Sequence, residues 1–101
     1  MSRGLGFVAF KMPARRFIIR GRVQGVGFRY FAVQAAERAG VVGTVRNLPD
    51  GAVEAIAEGS PASLAAFLLE LRRGPSFSRV TSIDEQEYPA TDRYKSFEVV
   101  Y

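Results

Sequence analysis

The sequence predicts an α+β fold in which two helices pack on one face of a mostly antiparallel sheet. Hydrophobic periodicity changes along the chain in the order β-α-β-β-α-β, and a short terminal strand follows. Each helical segment carries its apolar stripe on one side only, so both helices can cover the same face of a sheet. The chain has 101 residues, 48% of them hydrophobic, which suits one domain with a single core.

The first strand and the first helix are separated by a glycine-rich stretch. Residues 15–23 (RRFIIRGRV) alternate and are rich in Phe, Ile and Val, which favours a strand. Helical spacing of apolar residues begins at Phe28 and runs to Ala39, where Gly40 suits a helix end. Residues 41–48 then predict the second strand.

A turn and the clearest helix of the chain follow. The Pro-Asp-Gly turn at 49–51 leads into an alternating third strand at 52–58. The second helix lies within 59–74, because Ser60 can cap it and Pro61 suits its first position.

Two further strands, predicted at 78–88 and 95–101, complete the order. It is the split βαβ, or ferredoxin-like, arrangement: a βαββαβ sandwich with a short extra C-terminal strand.

Composition excludes several kinds of chemistry. The chain has no cysteine and no histidine, so thiolate catalysis and an imidazole base are both ruled out. Asp50, Glu54 and Glu58 alternate along one predicted strand face and are expected to be solvated rather than to bind a metal. We therefore expect neither a metal nor a cofactor.

Basic residues are concentrated at the start of the chain. Residues 1–22 carry six of the 14 basic residues and none of the ten acidic ones. Residues 1–14 are expected to form a poorly ordered basic extension, and 15–101 the folded domain. No apolar run is long enough to span a bilayer, so a cytoplasmic protein that does not bind membranes is expected. We also expect a monomer.

The stretch GRVQGVGFRYF (21–31) places three glycines before a helix. A glycine-rich turn at a helix N-terminus presents free backbone N–H groups, which suits phosphate or another anion. Arg29 lies in the first helical turn, where a cation is locally unfavourable unless an anion is near. A plain turn with a surface arginine explains the same residues equally well. The dinucleotide fingerprint fails because Tyr30 stands where its last glycine should be, and the P-loop lacks its Lys-Ser/Thr.

Asn47 is the second candidate residue. It follows Arg29 by one helix and one strand, and the first two strands of this topology run in the same direction. Their C-terminal ends therefore share one edge of the sheet, and Asn47 can face the loop at 25–29. It could equally do no more than start the turn at 49–51.

The segments GRVQGVGFR, AGVVGTVRNLPDG, VEAIAEG and YKSFEVVY together resemble the acylphosphatase family, from about Phe17 to Tyr101. The resemblance implies a hydrolase that cleaves the carboxyl–phosphate bond of small acylphosphates. It implies that Gly25, Val26, Gly27, Phe28 and Arg29 bind the phosphate, and that Asn47 positions the attacking water. Inorganic phosphate would then be a product and a competitive inhibitor.

Two other functions share this fold. A non-catalytic anion-binding module would carry the same Arg29 and Asn47. An RNA-binding module is suggested by RGLGFVAF (3–10), which matches seven of eight positions of an RNA-recognition pattern. Only two residues precede that segment, so it cannot form the central strand that the pattern requires. We expect no specific nucleic-acid binding.

Overall fold

The computed structural model describes residues 12–101, and these residues form five strands and two helices. The elements are β1 (Ala14–Arg22), α1 (Phe28–Ala39), β2 (Val42–Asn47), β3 (Val53–Glu58), α2 (Pro61–Arg73), β4 (Arg79–Tyr88) and β5 (Phe97–Val99). The predicted elements are all present. Most bounds differ from the prediction by one or two residues, and β5 is shorter than the predicted 95–101.

The predicted N-terminal extension lies mostly outside the described residues, as does the RNA-recognition-like segment at 3–10. Within the described part, Ala14 is the first residue of β1 and pairs with Glu58 on one side and Tyr88 on the other. Its side chain is buried. The sheet thus begins one residue before the predicted domain boundary at Arg15.

The five strands form one sheet in the order β4-β1-β3-β2-β5. Strands β1 and β2 both pair antiparallel to β3, so they run in the same direction on either side of it. Strand β5 pairs with β2 in parallel, and β4 pairs with β1 in antiparallel orientation. The predicted ferredoxin-like fold is therefore confirmed. Strands β1, β2 and β5 all end at one edge of the sheet, here called the C-terminal edge.

Both helices cover the same face of the sheet, and the core lies between them. Phe17 of β1 and Phe97 of β5 meet the ring of Phe67 of α2 edge to face, with ring centroids 5.9 Å and 5.3 Å apart. Each such aromatic pair stabilises the fold by about 0.5–1.5 kcal/mol beyond the contribution of the apolar area that it buries. The apolar sides of α1 and α2 thus hold the helices in place above the sheet, with the start of α1 at the C-terminal edge.

The two helices begin differently. In α2, the hydroxyl of Ser60 accepts from the backbone N–H of Ser63 at 3.1 Å, and Pro61 occupies the first turn. In α1, the N-cap is Gly27, which has φ +79° and no side chain to cap the helix. The amides at the start of α1 are therefore left available, whereas those of α2 are partly satisfied.

The expectation that Glu54 and Glu58 are solvated is wrong. Glu54 is 5% exposed and Glu58 is 4% exposed, on the face of β3 that points away from the helices. Glu54 accepts from Arg16 at 2.6 Å and from Arg46 at 2.7 Å. Because β3 is the central strand, side chains of its neighbours cover that face as well. Asp50, in the turn, is exposed as expected.

Glu58 is covered by the segment that joins β4 to β5. Its carboxylate accepts from the backbone N–H and the hydroxyl of Thr91, at 2.8 Å and 3.1 Å, and from the N–H of Asp92 at 3.2 Å. This end of the sheet is opposite the C-terminal edge. No helix among residues 12–101 is long and apolar enough to cross a bilayer.

Candidate active site

The loop between β1 and α1 is shaped by two glycines in the left-handed region. Gly25 has φ +75° and Gly27 has φ +79°, whereas Val26 between them does not have a positive φ. Alternation of hand in successive residues turns their N–H groups toward one side, which forms an anion-binding concavity. A Cβ added at either glycine would meet no atom within 4 Å, so the space above the loop is open. The glycines are required by backbone conformation and not by crowding.

Several backbone N–H groups of this loop have no hydrogen-bond acceptor among the described residues. None of the N–H groups of residues 25–30 donates to an acceptor within the described chain, and the first such bond of α1 is Phe31 N–H to Gly27 O at 3.0 Å. The first turn of α1 contains no acidic residue. The helix dipole adds roughly half a positive charge at the same point. The loop and helix start together form an uncompensated electropositive site.

Arg29 adds a full positive charge to this site. Its side chain is half-buried, and no carboxylate within residues 12–101 forms a salt bridge with it. The guanidinium carbon lies 5.3 Å from the centre of the Tyr101 ring, a cation–π contact. That ring is almost fully exposed, and it carries no charge that would neutralise the guanidinium.

Asn47 is the last residue of β2 and lies at the C-terminal edge. It shares a sheet face with Val45, two residues earlier, which is in the core beneath the helices. The Oδ1 atom of Asn47 is buried, and no donor among residues 12–101 reaches it. A buried acceptor without a partner costs about 1–3 kcal/mol. The amide is thus held at the sheet edge with an unused polar atom.

One cleft brings these residues together. Its volume is about 330 Å³, and its lining includes Gly25, Gly27, Phe28, Arg29 and Asn47. Val26, the remaining residue of the predicted loop site, is not part of the lining. The cleft opens at the C-terminal edge, where the end of β2 meets the start of α1. Arg29 and Asn47, which lie 18 positions apart in sequence, therefore face one volume.

Four lining residues were not identified from the sequence: Val23, Tyr30, Val99 and Tyr101. Val23 and Tyr30 flank the loop that was identified, so their proximity was accessible to sequence reasoning. Val99 and Tyr101 come from the end of the chain. They reach the cleft because β5 pairs in parallel with β2 and so ends at the same edge, a pairing that no local pattern indicates.

The arrangement suits a small, multiply charged oxyanion. Converging N–H groups and one guanidinium can bind several oxygens of a phosphate, and the guanidinium can do so bidentately. Within residues 12–101, no group of three or more His, Cys, Asp or Glu side chains could hold a metal ion. The polar groups at the cleft are thus backbone amides and one cation, with the neutral amide of Asn47 beside them.

Comparison with known proteins identifies relatives over nearly the whole described chain. The sequence model of the acylphosphatase family matches residues 15–99. An acylphosphatase of Actinobacillus pleuropneumoniae is 43% identical over 88 residues, which cover 87% of this chain and 98% of that relative. An acylphosphatase of Solibacter usitatus is 50% identical over 86 residues, with 85% and 88% of the two chains covered. The crystal structure of the acylphosphatase from Bacillus subtilis matches with a TM-score of 0.85 and 41% identity, covering 89% of this chain and all of the other.

Proposed function

The chain belongs to the acylphosphatase family and hydrolyses acylphosphates to a carboxylate and inorganic phosphate; from that premise we propose how the residues of the cleft divide the work. Residues Gly25–Arg29 bind the phosphate group, and Asn47 positions the water that attacks phosphorus. The non-catalytic anion-binding and RNA-binding alternatives are not favoured.

The free N–H groups of the 25–29 loop support the phosphate-binding role. Oxygens of the phosphate accept from these amides, and Arg29 donates to two of them. As the carboxyl–phosphate bond breaks, charge is spread over the equatorial oxygens. Donors that are already oriented stabilise that charge without having to reorganise.

The unpaired Oδ1 of Asn47 is the observation that supports the water-positioning role most directly. An acceptor at the rim of the phosphate cradle can hold a water molecule by one of its hydrogens and direct its lone pair at phosphorus. A general base is not supplied by histidine or cysteine, because the chain contains neither. The substrate phosphate itself accepts the proton of the water. The departing carboxylate is a good leaving group and needs no general acid.

The two roles predict different kinetic defects. Arg29→Ala removes contacts made in both the ground state and the transition state, so phosphate inhibition and hydrolysis should weaken together. Asn47→Ala removes a contact to water only. Its kcat should fall on the order of 10²–10³-fold, the effect of losing one oriented hydrogen bond in such a site, while the inhibition constant for phosphate stays near wild type.

The experiment is steady-state hydrolysis of benzoyl phosphate, with inorganic phosphate as inhibitor and a thermal melt of each variant. Arg72→Ala is the matched control, because Arg72 is an exposed arginine of α2 with no salt bridge among the described residues. Wild-type kcat in Asn47→Ala would refute the role of Asn47. Full phosphate affinity in Arg29→Ala would refute the role of the loop arginine.

Competitive inhibition by phosphate, a monomeric state and a cytoplasmic location belong to the same proposal. Phosphate is the product and would occupy the cradle without an acyl group, which supports competition with the substrate. Size-exclusion chromatography with light scattering tests the monomer, and cell fractionation tests the location.

A further inference from the structure

The side chain of Gln24 links the phosphate-binding loop to the turn that follows Asn47. Its Nε2 atom donates to the carbonyl oxygens of Leu48 and Ala52, both at 2.8 Å. A primary amide has two N–H donors, and both are used on these two carbonyls. Gln24 immediately precedes Gly25, whereas Leu48 immediately follows Asn47. The bridge therefore joins the two halves of the proposed site.

The turn that receives these bonds is itself closed. The N–H of Leu48 donates to Ala52 O at 2.8 Å, and the N–H of Gly51 donates to Leu48 O at 3.2 Å. The carboxylate of Asp50 accepts from the N–H of Ala52 at 3.0 Å. A turn cross-linked in this way moves as one unit, so Gln24 is attached to a rigid support.

We propose that Gln24 is a positioning residue that sets the distance between the phosphate cradle and Asn47; the inference rests on the proposed roles of Arg29 and Asn47. Across the described residues, the two bonds of Gln24 are the hydrogen bonds that connect segment 23–27 with segment 47–52. The cradle holds phosphorus, and Asn47 holds the water. Their separation decides whether the water lies at attacking distance and in line.

The bridge adds to the one side-chain restraint within the loop, which is the packing of Val26 against the core. Gly25 and Gly27 have no Cβ and leave the backbone free to visit other conformations. A Cβ at either position would touch nothing, so no side-chain packing restrains the loop from that side. A displacement of about 1 Å between reacting groups can lower the rate on the order of 10²-fold. A side chain that prevents such a displacement contributes to turnover without touching substrate.

The test begins with Gln24→Met, which keeps the length and volume of the side chain and removes both donors. In benzoyl phosphate hydrolysis we expect kcat to fall roughly 10- to 100-fold. The inhibition constant for inorganic phosphate should change by less than about threefold, because the amides and Arg29 still bind the phosphate. Gln86→Ala is the control, since Gln86 is an exposed glutamine on the opposite face of the sheet, and its kcat should match wild type.

A double-mutant cycle separates a positioning role from a merely structural one. If Gln24 acts through the placement of the water on Asn47, Gln24→Met should cost little in an Asn47→Ala background. The two losses would then be strongly non-additive. Additive losses, or wild-type kcat in Gln24→Met, would overturn the role of Gln24. If Asn47→Ala is slow in the same experiment, the proposed function still holds. Wild-type kcat in Asn47→Ala would instead remove the premise, and the role of Gln24 with it.

Stability is measured on the same proteins. If the Tm of Gln24→Met is well above the assay temperature and its kinetics follow the pattern just described, the positioning role of Gln24 is supported. If both Gln24→Met and Gln24→Ala are unfolded at the assay temperature, the bridge serves folding and the positioning role is overturned.

Discussion

Glu54 should be far more important for stability than a carboxylate with the same partners on the surface. It accepts from Arg16 and Arg46, and its side chain is 6% exposed. Glu70 also accepts from two arginines, Arg38 and Arg73, both at 2.8 Å, but its side chain is 27% exposed. The two glutamates differ in burial and in bonding, because both arginines donate to the same oxygen, Oε1, of Glu70, whereas each oxygen of Glu54 accepts from a different arginine.

The expected cost of Glu54→Gln follows from its contacts. Each charge-assisted hydrogen bond contributes about 1.5–3 kcal/mol. Glutamine keeps one acceptor but turns its NH2 group toward the other guanidinium. Because the side chains of Arg16 and Arg46 are 29% and 49% exposed, they recover part of the loss by hydration. We expect a net loss of about 2–3 kcal/mol, against less than about 1 kcal/mol for Glu70→Gln.

The assay is urea denaturation of both variants and wild type at pH 7. A domain of this size should also lose roughly 4–8 °C of Tm for each kcal/mol. Hydrolysis by Glu54→Gln below its melting temperature should match wild type, because Glu54 faces away from the helices and the cleft. Equal destabilisation by the two substitutions would refute the assignment of the larger cost to the buried, two-oxygen arrangement of Glu54.

The pH dependence gives a second readout of the same group. Desolvation raises the pKa of Glu54, but hydrogen bonds from Arg16 and Arg46 outweigh it and hold the pKa below its usual value. Its contribution to stability is therefore present above the unfolded-state pKa and lost as pH falls through the folded-state pKa. The difference in unfolding free energy between wild type and Glu54→Gln should shrink below about pH 4.5. A difference that stays constant down to pH 2 would contradict this.

Three further predictions concern the cleft and the start of the chain. Gly27→Ala should lower stability by about 1–3 kcal/mol, because an L residue is strained at positive φ, and should raise the phosphate inhibition constant; a wild-type melt would show that the loop relaxes. The rate profile should show no enzyme inflection between pH 5 and 8, because the chain lacks histidine and cysteine; an inflection independent of substrate pKa would require a base. A truncation that begins at Met12 should keep hydrolysis within a few-fold of the full chain, whereas a large loss in a folded truncation would show that residues 1–11 complete the site.

Helix α2 shows where sequence reasoning works best. Ser60, Pro61 and the final glycine all act within one turn of the residues they affect, so their effect can be predicted without knowing the fold. The helix observed at Pro61–Arg73 lies within the predicted 59–74. The approach of Asn47 to the loop was also predictable, because the split βαβ topology fixes the relative direction of β1 and β2. Whether Asn47 had a partner was not predictable.

Glu54 shows where sequence reasoning fails. Alternation indicates which residues share a face of β3, but it does not indicate whether that face is covered. Coverage depends on two arginines from different strands. Arg46 of β2 pairs directly with Glu54, whereas Arg16 of β1 pairs with Ile56 and reaches Glu54 diagonally along the same face. Glu58 was misjudged for the same reason, because Thr91 reaches it from a segment 33 residues later.

The sequence by itself determined the local chemistry of the protein: a loop whose glycines can take positive φ, a helix start without a side-chain cap, and no histidine or cysteine to act as a base. These properties depend on residues adjacent in the chain. Only the tertiary structure decided that Oδ1 of Asn47 is buried without a donor, that Gln24 bonds to the turn beyond Asn47, and that Tyr101 lies over Arg29. The physical reason is that hydrogen-bond satisfaction and burial are set by what neighbouring strands bring into contact, and strand order is a property of the whole sheet.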